Sequence, residues 1–203
     1  MYFVKAPTLL KKMYPNELLW SKSSEDTVYL TFDDGPHPTA TPFVLNELAK
    51  FDAKATFFCI GKNVTAHDEI FQQILAAGHK VGNHSHDHLN GWKTNTEKYI
   101  ENIEQASKSI ESSLFRPPYG RIRKKQADRV KQMGYTIVMW DVLSGDFDTN
   151  ISPEKCWMNI EQNIEPGSVI VFHDSSKAWE RMQFALPLTL AYCHQRGWKM
   201  ETL

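Results

Sequence analysis

The chain has few cysteines, and its three, Cys59, Cys156 and Cys193, lie far apart with no C-x-x-C pair. That excludes a disulfide framework and a thiolate zinc site, and leaves reduced, packed thiols as the expectation. Charge of one sign is missing too: 23 Lys and Arg against 24 Asp and Glu give a formal net charge of −1, with no long basic or acidic block. The electrostatic footprint of a nucleic-acid binder is therefore absent. The short cluster "RIRKK" (Arg121 to Lys125) opens a helical pattern and reads as a solvated face. No apolar run approaches a membrane span, so no transmembrane segment is expected. The first twenty residues, "MYFVKAPTLLKKMYPNELLW", lack the continuous apolar stretch of a signal peptide. The default location is cytoplasmic; an extracytoplasmic one requires a longer start or an unconventional export route. No repeat of fixed period and no low-complexity segment is present, and nothing in the sequence indicates an oligomeric state.

What is present is enough apolar material, 41% of 203 residues, for one sizeable core. Residues 1–25 read as an N-terminal extension and 26–203 as the single domain. From Thr27 onward, apolar runs of strand length alternate with amphipathic stretches. The strands are expected at 27–32, 55–60, roughly 80–84, 114–116, 136–140, 168–172 and 198–202. Thr41-Pro42 and Ser152-Pro153 read as N-caps followed by proline, and "TNTE" (Thr94 to Glu97) as a capping box before a helix over 97–112. Gly78, Gly134 and Gly197 stand where helices need a left-handed terminal residue. Seven buried strands alternating with helices predict an α/β fold with a parallel sheet, either rolled into a barrel or left open.

The polar residues cluster at strand ends. "TVYLTFDDGPHP" (Thr27 to Pro38) ends a buried strand in two adjacent carboxylates, Asp33 and Asp34, before a Gly-Pro break. His84 ends the third strand, Arg116 the fourth, Asp141 and Asp146 follow the fifth, and His173-Asp174 end the sixth. In a parallel sheet these ends share one rim, where barrel enzymes and open α/β sheets build their sites.

"GNHSHDHLN" (Gly82 to Asn90) contains His84 and His88, four residues apart. On a helical turn that spacing brings two imidazoles together, whereas on a strand they would stand roughly 13 Å apart. The reading therefore requires a helical turn directly after the third strand. With an acidic pair at the same rim, Asp34, His84 and His88 are the expected ligands of one divalent cation, leaving positions open for water and substrate, as in a catalytic zinc site. His86 would face away, and His37, His67, His79 and His194 are read as structural or exposed. Trp140 is expected in the core; Trp92 and Trp179, in loops, could stack on sugar rings, although packing is the better reading.

With these motifs in order, the chain resembles the polysaccharide deacetylase family, the NodB-homology domains of carbohydrate esterase family 4. The resemblance runs through TFDDG (31–35), H-S-x-x-H (84–88), R-P-P-Y-G (116–120), W-D-V-L-S-G-D-F (140–147) and V-I-V-F-H-D (169–174). It implies a distorted (β/α) barrel of about seven parallel strands, a cation held by Asp-His-His, and removal of acetyl groups, commonly from N-acetylglucosamine units of a glycan such as peptidoglycan or a chitin-type oligomer. Zinc is the first choice of metal, with cobalt or nickel as alternatives. The resemblance assigns Asp33 as general base, Arg116 as the group that orients and ionises it, the backbone N–H of Tyr119 as an oxyanion donor, and His173 as general acid paired with Asp146. Duller readings exist for three of these: Arg116 as a surface loop residue, Tyr119 as a core ring, Asp146 as a turn cap. The chain also departs from the family pattern. Leu143 and Phe147 replace the first Asp and the Trp of Asp-x-x-Asp-Trp, and Val169 and Val171 stand where leucines are usual, all on the expected wall of the acyl pocket. Competing functions are O-deacetylation of an acetylated polysaccharide, a carbohydrate-binding pseudoenzyme, and a metal-dependent phosphoesterase. Retention of both Asp33 and His173 argues against the pseudoenzyme. The lack of a second set of carboxylates and of a phosphate-cradling glycine loop argues against the phosphoesterase.

Overall fold

The computed structural model describes residues 2–7, 9 and 18–203. The β-branched and aromatic run Thr27–Asp33 forms β1, buried along its whole length. Its side chains alternate as a strand requires. Val28, Leu30 and Phe32 join the large core beneath the helices, where Phe32 stacks between Phe57 (5.0 Å) and Phe172 (5.9 Å). Tyr29 belongs to a smaller cluster with Phe58, Leu114, Val138 and Val169, and Thr31 turns with it toward the Arg116 guanidinium. Burying each such ring contributes about 1.5–3 kcal/mol.

Around β1 the chain adds α1 (Ala40–Ala49), β2 (Ala55–Cys59), α2 (Gly61–Ala66), α3 (Asp68–Ala76) and β3 (Lys80–Asn83). There follow α4 (Thr96–Ser107), β4 (Leu114–Phe115), a 3₁₀ turn (Pro118–Gly120), α5 (Lys124–Gln132), β5 (Thr136–Ile137) and β6 (Val142–Leu143). The chain ends with α6 (Pro153–Glu161), β7 (Val169–His173), α7 (Trp179–Gln195) and β8 (Lys199–Met200). The strands run parallel in the order β5-β4-β3-β2-β1-β7-β6, with β8 beside the start of β1. This is a curled half-barrel of α/β class, in line with the expected distorted barrel.

Four local expectations need correction. The strand expected over 136–140 stops at Ile137 as β5, and a further strand, β6, follows at Val142–Leu143 on the opposite edge of the sheet. The carbonyls of Val138 and Met139 leave the ladder to accept from the Arg116 guanidinium, and the chain crosses to pair Val142 with Ile170. Because β6 begins after Asp141, that residue lies at the edge opposite the other polar residues, held by Lys5 (2.7 Å) and Ser168 (2.6 Å). Helix α1 starts before Thr41, whose hydroxyl donates instead to Asp174. Helix α4 spans Thr96–Ser107, shorter than expected, and is capped by Asn95, which accepts from Lys98 N–H, one residue later than the capping box would place it. The Ser152-Pro153 cap forms as expected, and Gly78, Gly134 and Gly197 have positive φ.

The described part of the first 25 residues lies along both sheet edges. Val4 accepts from Leu143 N–H and Ala6 N–H donates to Asp141, so residues 4–6 flank β6. Leu19 exchanges hydrogen bonds with Ile137 and Met139 beyond β5. Edge groups that would otherwise stand open are thus paired.

Candidate active site

Asp33 continues the inward-facing row of Tyr29 and Thr31, while Asp34, at φ 80°, breaks the strand and swings to the rim. Its backbone is fixed by Asn63, whose amide donates to the Asp34 carbonyl (2.7 Å). Asp174 fixes the next residue: its carboxylate accepts from Gly35 N–H (3.0 Å) and from the Thr41 hydroxyl (2.5 Å). The approach leaves no room for a side chain, since a Cβ on Gly35 would sit 2.1 Å from an Asp174 oxygen. Burial pushes the Asp174 carboxyl up to about 8.

His84 and His88 do come together, but not on a helical turn. Residues 84–90 form no helix; Ser85 (φ 60°) and His88 (φ 57°) are left-handed, which folds the loop sharply enough to bring the rings to 4.9 Å. Loop anchors replace helical hydrogen bonds: Asn102 accepts from the N–H groups of His86 and Asp87, and Ser85 N–H donates to Asn83. The Arg116 carbonyl lies 2.8 Å from His84 Nδ1, and as an acceptor it requires the proton there, leaving the Nε2 lone pair for a cation. Nε2 of His88 and Nε2 of His84 lie 3.2 and 3.7 Å from Asp34 Oδ1. That oxygen is buried and accepts no hydrogen bond among the described residues. Burial, then the neighbouring His84, lowers the His88 pKa to about 4, which keeps it neutral. One carboxylate and two imidazoles, with ligand atoms all within 4.8 Å of one another and an orphaned oxygen between them, fit a divalent cation.

Arg116 is not a surface loop residue: it is fully buried and lies over the Phe58 ring. Its guanidinium donates to Asp33 Oδ1 and Thr31 Oγ1 (2.7 Å each) and to the Val138 and Met139 carbonyls. Burial alone would raise the Asp33 pKa, but the guanidinium and the nearby imidazoles outweigh it and hold the carboxyl below its ordinary value.

On β7, next to β1, His173 pairs with Asp146, which is no mere turn cap. Its two oxygens accept from the backbone N–H and from Nδ1 of His173, each at 2.7 Å. Burial would lower the imidazole pKa, yet Asp146, followed by Asp34 and Asp33, raises it to about 9. Tyr119 is 60% exposed and so not a core ring; it packs 4.5 Å from His88, and its N–H, at φ 59°, donates to no described group.

Asp33, Asp34, His84, His88, Tyr119 and His173 line one cavity of about 660 Å³ together with Tyr2, Asn90, Arg121, Trp140, Leu143, Phe147, Val171 and Lys177, while Arg116, Asp146 and Asp174 stand behind them. Trp140, expected in the core, therefore faces the cavity, because the chain leaves the sheet just before it. Arg121 stacks on the exposed Trp92 at 4.1 Å, whereas Trp179 packs against Phe43. Sequence reasoning gave no role to Asp174, to the Arg116 carbonyl or to Tyr2. Only Asp174, adjacent to His173 in the same motif, carried any signal.

A parallel half-barrel with a buried carboxylate, a partly buried imidazole and a three-residue cluster fit for a cation at one rim is the architecture of a hydrolase of the metal-assisted class. Residues 21–138, more than half of the chain, match the polysaccharide deacetylase family, and the chain belongs to that family. It is 32% identical to a peptidoglycan-N-acetylglucosamine deacetylase of Bacillus cereus over 89% of this chain and 88% of that protein. It is 35% identical to a chitooligosaccharide deacetylase of Azorhizobium caulinodans over 74% of this chain and 75% of that protein. The solved structure of the Bc1960 peptidoglycan N-acetylglucosamine deacetylase superposes with a TM-score of 0.87 at 29% identity, covering 98% of this chain and 95% of that one.

Proposed function

We propose that this chain hydrolyses the acetamide of an N-acetylated amino sugar, within a glycan of the peptidoglycan or chitin type, with Asp34, His84 and His88 holding one divalent cation, zinc by preference. The observation that carries the reading is that Asp33 and His173, register partners at the ends of the adjacent strands β1 and β7, line one cavity beside the ligand cluster, one held ionised and the other held protonated. The names of the relatives support the substrate class. When bound, the cation supplies Lewis acidity toward an acyl oxygen and lowers the pKa of water.

Asp33, kept ionised by Arg116, accepts a proton from the attacking water. His173 gives its proton to the amine nitrogen as the C–N bond breaks, so acetate and a free amine leave. Tyr119 N–H, which has no partner among the described residues, donates to the developing oxyanion in this reading. Asp146 holds the imidazole upright with Nδ1 protonated and leaves Nε2 for substrate.

The test is acetate release from chitin oligomers, peptidoglycan fragments and O-acetylated xylan, with and without chelator, in wild type and in His84→Ala with His88→Ala. N-acetyl substrates should be cleaved, the chelator should stop the reaction, and the double variant should lose metal and activity together. Preference for acetylated xylan would make the chain an esterase; sugar binding without release would make it a pseudoenzyme. Full metal content in the double variant by elemental analysis would sink the ligand set.

A further inference from the structure

We infer that Tyr2, delivered from the N-terminal segment, is a specificity-determining residue that sets the depth of the acyl pocket by backing and extending the Phe147 wall. The inference rests on the deacetylase reading above. Leu143, Phe147 and Val171 are the aliphatic and phenyl side chains lining the cavity, and Phe147 touches His173. The methyl of an acetamide is the apolar group at the reacting carbon, so it belongs against them.

Phe147 packs edge-on to His173 at 5.2 Å, and Tyr2 packs edge-on to Phe147 at 5.1 Å, itself lining the cavity. The three rings form a continuous row from the acid to the N-terminal segment. Phe147 is smaller than an indole, and Tyr2 supplies the missing aromatic surface from a different part of the chain.

Tyr2 is held on three sides. Its hydroxyl donates to Asp148 Oδ2 at 3.0 Å. Two residues on, Val4 accepts from Leu143 N–H at 2.8 Å, and Lys5 binds Asp141, Glu165 and the Asn163 carbonyl at 2.7–2.8 Å. Finally, Gly145 (φ +80°) makes room for it, since a Cβ there would stand 2.9 Å from the Tyr2 hydroxyl. These anchors do not involve the proton-transferring residues, so Tyr2 can govern substrate size without entering the chemistry.

The experiment compares wild type, Tyr2→Phe and Tyr2→Ala on glucosamine oligomers N-acylated with acetyl, propionyl or butyryl groups. Tyr2→Ala should raise the kcat/KM ratio of propionyl to acetyl by about tenfold or more, the worth of a methylene in an apolar pocket. Tyr2→Phe, which keeps the ring and loses the Asp148 bond, should restore most of the wild-type ratio. An unchanged ratio in Tyr2→Ala, with an unchanged melting temperature, overturns the inference while leaving the deacetylase reading intact. If wild type cleaves no amide, that reading fails. The wall is then read by binding of acetate, propionate and butyrate in NMR titrations: a relative gain for the longer acids in Tyr2→Ala upholds the wall, and no gain overturns it.

Discussion

Asp33 beside Arg116 and His173 beside Asp146 are both pairs of opposite charge with 2.7 Å contacts, the first buried and the second partly so, yet in the proposed reaction one yields a proton acceptor and the other a proton donor. The difference lies in which partner has its remaining bonds filled. Arg116 spends its donors on Asp33, Thr31 and two carbonyls and never leaves the interior. Asp146 spends both oxygens on His173. In each pair the saturated partner fixes the protonation state, and the unsaturated one faces the cavity and reacts.

The strongest way to break this symmetry is to remove the acceptor itself. Asp33→Asn keeps the shape and the Asp34-His84-His88 cluster, so metal content should hold while turnover falls roughly two to four orders of magnitude. Near-normal turnover with metal bound would mean that another group takes the proton.

Removing the saturated partner instead should hurt folding. Arg116→Met leaves Asp33 buried without its counter-charge, and denaturant unfolding near neutral pH should show a loss of about 3–5 kcal/mol. The sign with pH follows from Asp33, whose folded pKa lies below its unfolded value. Its contribution in wild type is present above the unfolded pKa and fades as pH falls through the folded one. In the variant the largest opposing charge is gone and burial, with only the imidazoles of His84 and His173 against it, raises that pKa, so the deficit should shrink as acid neutralises the carboxyl. A deficit that stays constant down to acid pH would place the role of Arg116 in packing alone.

The smallest change sharpens the other pair. His173 must be protonated to act, and its pKa of about 9 sets the alkaline limb of the pH–rate profile. Its stabilising contribution is complete below the unfolded value near 6.5 and is lost as pH rises through 9. Asp146→Asn should move the limb to lower pH, with metal bound and chemistry rate-limiting. Asp141, held by Lys5 and Ser168 at the opposite edge, is not placed to substitute. An unmoved limb would mean that Asp33 and Asp34 supply the shift.

The contrast between these regions also marks what a sequence reveals. Asp33, Asp34 and His173 were legible because they end strands rich in β-branched and aromatic residues, His84 because it follows a short, mostly buried run, and strand ends in a parallel sheet share a rim. The loop that carries His88 was misread as a helical turn because spacing alone cannot distinguish a helix from two left-handed residues, Ser85 and His88, pinned by Asn83 and Asn102. The split of 136–143 into two strands was hidden because the cause is remote: a guanidinium from residue 116 takes the carbonyls that would have continued β5. Tyr2 was invisible for a related reason, since its place depends on two hydrogen-bonded residues at a sheet edge rather than on any local pattern.

The three thiols complete the account of the cation site. Cys59 ends β2 next to this machinery, and burial, followed by the charges of Asp174 and Asp33, raises its pKa well above the ordinary value. Burial raises Cys156 likewise and takes Cys193 to about 12. Sulfur is the softest donor the chain possesses, and only the thiolate ligates metals or reacts with oxidants. Kept as thiols, these cysteines stand apart from the candidate cation site, which is left to two imidazoles and a carboxylate.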